Sequence, residues 1–160
     1  MENNKYVKLH SLLRMFGALL AIIIFISMFI TKMVVDKDFS DVFFDFGNGA
    51  FFGSDYCKGN VFAFFGYLFV FLAGLAGLAF VFVDEIIGKD LTKKLSYLAG
   101  GLAIFGSIFI LLFSPMFRAI NNNWAIDYVR TTAAPIVFGI LGLGVGAIQI
   151  AAPILEKKGQ

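Results

Sequence analysis

Cysteine, histidine, tryptophan and proline are nearly missing from this chain, whose 160 residues hold one Cys, one His, one Trp and three Pro. With Cys57 alone, no intramolecular disulfide can staple the fold, and the thiol stays free or links two molecules. His10, also alone, lacks the second His or nearby Cys that a zinc site needs, and beside Lys8 and Arg14 it is expected to be solvated. No HExxH run occurs, and no glycine-rich loop leads into the Lys-Ser or Lys-Thr of a phosphate cradle. Charge is scarce as well, at 15% of residues against 59% hydrophobic, which leaves too little polar surface to cover a water-soluble globule of this length.

What the chain has instead is four long apolar runs, over residues 12–35, 61–83, 95–117 and 131–155. The last three contain no acidic or basic side chain. A hydrocarbon layer of roughly 30 Å takes about 20 helical residues, so each run is long enough to span it. The second run has the pattern to extend to residue 87, and the third has an alternative start at 91. The fold class expected is all-α: an integral membrane, antiparallel four-helix transmembrane bundle filling residues 1–160 as a single domain. The first run is about twice the length of a signal peptide's apolar region and is followed by no small-x-small cleavage site, so it reads as an uncleaved anchor.

Basic residues set the expected orientation. Lys5, Lys8, Arg14, Lys89, Lys93, Lys94, Lys157 and Lys158 fall on the side holding both termini and the middle loop. Lys32, Lys37, Lys58, Arg118 and Arg130 fall on the other. Eight against five places both termini in the cytoplasm of a cell-membrane protein. Between the second and third runs, Gly88 suits a left-handed helix C-terminus and Asp90 an N-cap, which makes a tight hairpin. Asp84 and Glu85 sit where Lys93 and Lys94 can offset them. Arg14 and Lys32, near opposite ends of the first span, are expected to snorkel to the headgroups.

Small residues mark the faces on which the spans should meet. In the fourth run Pro135, Gly139, Gly142, Gly146, Gln149 and Pro153 recur every three or four residues, which is one face of a helix. The third run repeats the spacing with Ser96, Gly100, Ala103, Ser107, Ile110 and Ser114. The second does so with Gly66, Val70, Ala73, Gly77 and Phe80, and the first offers Gly17 and Ala21. Side chains this small let backbones approach closely, and Gly142-x-x-x-Gly146 is the familiar form of that device. Gln149, the one amide at mid-span, is expected to bond Ser96, Ser107 or carbonyls freed near Pro153. The 21 Phe residues need no cofactor cage to explain them and suit a lipid-facing surface.

Outside the spans, residues 38–46 place Asp38, Asp41 and Asp45 on one side of an expected helix, with Phe39, Val42, Phe43 and Phe46 on another. An acidic outer rim suits a basic protein partner better than a lipid headgroup. Gly47, Asn48 and Gly49 would end that helix, and Phe51 and Phe52 would dip back toward lipid. Asn123 is placed to cap a short helix leading into the fourth span, Trp124 and Tyr128 to anchor at the interface, and Pro115 to bend or finish the third span. No cofactor, metal or nucleic acid is expected, and no catalysis, since the spans lack paired acids or an activated nucleophile. The partners expected are the lipid bilayer and either a protein partner or a second copy. The role expected is that of a non-catalytic subunit or accessory interaction protein of a membrane assembly, with a passive channel or transporter subunit for a small neutral solute as the alternative.

Overall fold

A long apolar segment can close its backbone hydrogen bonds within itself as a helix, and four such segments organise this chain, the last of them interrupted by Pro153. The computed structural model describes residues 3–36, 49–53 and 58–158. Helix dominates them, as α1 (Asn3–Ile30), α2 (Gly49–Phe52), α3 (Val61–Ile87), α4 (Lys89–Leu111), α5 (Phe113–Tyr128) and α6 (Ala134–Lys158). Two three-residue strands, β1 (Val34–Asp36) and β2 (Val129–Thr131), complete the set. Four stretches are long and apolar enough to cross a membrane: Leu9–Ile30, Val61–Val83, Lys89–Leu111 and Ala134–Glu156.

The helix boundaries differ from the hydropathy runs where local chemistry overrides them. Val34 and Val35 do not continue α1, because these β-branched residues pair in an antiparallel ladder with β2, Val34 opposite Thr131 and Val35 opposite Arg130. The same ladder takes Thr131 out of the fourth run. Thr132 then bridges both sides, its backbone N–H donating to the Met33 carbonyl (3.0 Å) and its hydroxyl to the Lys32 carbonyl (2.7 Å). Pro135 follows in the first turn of α6, where a missing N–H costs nothing.

The third run breaks at Leu112 rather than running on to residue 117. Pro115 has no N–H for the Leu111 carbonyl four residues earlier, and its ring crowds that carbonyl, so α4 stops there and α5 begins. Asn123 therefore lies inside α5 rather than at a helix start, and β2 separates that helix from α6. At the other end of α4, Gly88 takes a left-handed φ of 85° and is itself the single residue between α3 and α4. Asp90 is not the cap but a first-turn residue, where its charge still favours the helix dipole.

Packing is set by glycines. The Gly66 and Gly106 backbones of α3 and α4 face each other so closely that a Cβ on either would strike the other's carbonyl oxygen. On α6, Gly139 receives Leu111, Gly142 receives Ser107 and Val70, and Gly146 lies on Ile104 and the Gly100 carbonyl. Helix α1 closes the group, with Ala21 seated on Gly74 and Gly17 under Ile148. Thus α1 and α4 each pack on both α3 and α6, while α3 and α6 also touch through the centre at Gly77 and Gln149. Outward faces are apolar, among them Leu12, Phe16, Leu19, Ile23, Phe105 and Ile140.

Two glycines five residues apart on α4 test this account. Gly106→Ala should lower stability by about 1–3 kcal/mol, because backbone atoms cannot yield to the new methyl. Gly101→Ala meets nothing within 4 Å and should be neutral, or stabilising by up to about 1 kcal/mol through helix propensity. Reversible unfolding in bicelles reads both.

Candidate functional site

Helix α1 turns His10, Arg14, Gly17, Ala21, Ile24 and Met28 inward, at alternating intervals of four and three. Two of these are corrections. Arg14 does not snorkel but is fully buried, and His10 is 7% exposed rather than solvated. The physical reason is that α1 starts at Asn3, well before the apolar run, so both residues ride on the inner face of a formed helix. The Arg14 guanidinium lies over the Phe80 ring, 5.8 Å from its centroid, and the ring face replaces part of the lost hydration.

Three more buried polar residues join them in the half of the structure nearest the Gly88 turn. Thr92 and Ser96 come from α4 and Gln149 from α6. The Thr92 hydroxyl donates to the Gly88 carbonyl at 3.1 Å, which finishes the turn. Ser96 does something else: its hydroxyl donates across the helix interface to the backbone carbonyl of Gln149 at 2.7 Å. That carbonyl is available because its partner in the helical ladder would be the N–H of residue 153, which is proline. Ser96 thereby supplies the donor that Pro153 lacks.

The Gln149 side chain is a different matter from the one expected. Its amide lies against Gly77, where any Cβ would collide with it, and neither amide atom has a hydrogen-bond partner in the structure. Ser107 is not that partner, since its hydroxyl donates to Ala103 in its own helix at 2.7 Å. Nor is Ser96, whose bond goes to the main chain.

The half nearest the strand ladder is closed by aromatic packing. Phe51 of α2 is not turned to lipid but is buried edge-on against Tyr67 (centroids 5.6 Å) and Phe113 (5.9 Å), and Phe113 stacks on Phe117 (5.6 Å). Phe52, next to it, is exposed. Here the polar groups are bonded. Asn60, fully buried, accepts from the Ala63 N–H that opens α3 and donates to the Phe113 carbonyl (both 3.3 Å). Asn121 mimics a strand neighbour, accepting from the Lys58 N–H (2.6 Å) and donating to the Lys58 carbonyl (2.9 Å).

Other residues singled out in the sequence fall in several places. Gly100, Ala103, Ala73, Gly77, Gly139, Gly142 and Gly146 are all buried on the inner faces of α3, α4 and α6. Asp38, Asp41, Asp45 and Cys57 lie outside the described residues, as do the side chains of Asp84, Glu85, Trp124 and Tyr128. Among the described residues, no three His, Cys, Asp or Glu side chains group closely enough to hold a metal ion. Sequence reasoning missed His10 and Arg14, although the four-three spacing through Gly17 and Ala21 extends back to both. No protein family, curated protein or solved structure matches this chain.

The Ser96 bond makes a quantitative prediction. Ser96→Ala should cost about 1–2 kcal/mol by leaving the Gln149 carbonyl bare. In a Pro153→Ala background, where residue 153 again has an N–H, the same substitution should cost less than half as much. Unfolding of the four variants in one double-mutant cycle measures the coupling.

Proposed function

We propose that the chain is an antiparallel four-helix transmembrane bundle of the cell membrane, both termini cytoplasmic, serving as a non-catalytic subunit or accessory protein of a larger membrane assembly. The observation that supports this reading is the packing of Phe51, Tyr67, Phe113 and Phe117 on one another in the ladder half, where the described buried polar side chains are bonded within the protein. A body apolar over its outward faces is suited to sit among other membrane components. In this reading the acids at 38, 41 and 45 supply the surface for a basic partner. The buried polar side chains near the Gly88 turn favour the second reading, a passive pathway for a small neutral solute.

Reconstitution separates the two. Proteoliposomes shrunk in glycerol or urea should reswell no faster than protein-free vesicles, and a severalfold faster recovery would favour the passive pathway. Reversing Asp38, Asp41 and Asp45 to Lys should abolish co-purification of a native partner from intact membranes, and unchanged recovery would reject the acidic face as its docking surface.

Topology is checked separately. In a Cys57→Ser background, cysteines at Lys93 and Arg130 should react with impermeant thiol reagents from opposite compartments. Labelling from the same compartment would overturn the arrangement.

A further inference from the structure

We propose that the Gln149 amide is the closed end of a water-binding site entered from the Gly88 end. A carboxamide offers two donors and an acceptor oxygen with two lone pairs, and at Gln149 all of them are buried and none is met among the described residues. Leaving such a group bare costs more than the bond it was placed to make would return, and an apolar side chain would fill the same volume without that cost.

The neighbouring hydroxyls cannot supply the missing bonds. Ser96 is committed to the Gln149 main chain, Thr92 to the Gly88 carbonyl and Ser107 to Ala103. The occupant must therefore come from outside the described residues. It must donate to Oε1 and accept from Nε2, which a cation or an anion does only in part and water does in full.

The position of the other unmet group sets the direction of entry. Buried His10 Nδ1 also has no partner, and it lies on α1 one turn before Arg14, toward the end where the chain turns at Gly88. On the opposite side, Asn60, Ser27 and Tyr67 all bond within the protein. Gly77 of α3 lies directly against the amide and brings no side chain to it.

Two measurements on the full chain in nanodiscs test this. Gln149→Met keeps the volume and removes the hydrogen bonds. A hydrated amide predicts a melting temperature lower by about 2–4 °C, whereas a melting temperature equal to or above that of the parent would overturn the site. The second uses the unaltered protein, so it decides the matter even where the variant fails to fold. Water-edited solid-state NMR should show polarisation transfer from water to the Gln149 side-chain amide nitrogen, and no transfer there while the exposed lysine amines receive it would overturn the proposal.

Discussion

Contact between helix backbones at glycine is the constraint on which the rest of this structure depends. Where the surroundings are as apolar as the side chains, no hydrophobic force draws one helix to another, and close van der Waals packing with occasional hydrogen bonds must do so. Gly66 against Gly106, and Gly146 against Gly100, bring main chains together at points where even one methyl group would intrude. Those two crossings hold α4 between α3 and α6. Once α4 is fixed, Ser96 has the Gln149 carbonyl within reach, and Phe113 at its far end meets Phe51 and Asn60.

The interior so formed is unequal along its length. Toward the strand ladder the buried side chains are large and apolar, and the few polar ones are paired within the protein. Toward the Gly88 turn they include a guanidinium, an imidazole and a carboxamide. Such groups are expensive to bury in an apolar core, and they gather in one half. The ladder half is tied by the pairing of Val34 and Val35 with Thr131 and Arg130 and by the Asn121 bonds to Lys58.

How much of this was legible in the sequence depended on whether the signal was periodic or local. The four apolar segments follow from composition and length, and the hairpin follows from Gly88, because only a residue without a Cβ takes φ 85° at ease. Ends were harder. Hydropathy cannot tell Val34 in a helix from Val34 in a strand, since the choice depends on β2 arriving from about a hundred residues away. Pro115 announced a break but not its place, which falls at Leu112, just past the Leu111 carbonyl that the ring crowds. Arg14 was misread for a different reason. Its charge was weighed above its register, although the interval to Gly17 and Ala21 placed it on the inward stripe.

That register also explains why the polar half exists at all. Helix α6 can rotate about its axis only as far as its glycines allow, because Gly139, Gly142 and Gly146 must all face α4 or α3 at once. With those three fixed, residue 149 lies on the same stripe and its side chain has no outward choice. An amide there must be buried, and it fits only because position 77 carries no side chain. Pro153, four residues on, frees the carbonyl that Ser96 takes, so the helix is pinned in rotation by a hydrogen bond as well as by packing. The glycine pattern that assembles the helices therefore also fixes where their polar groups point.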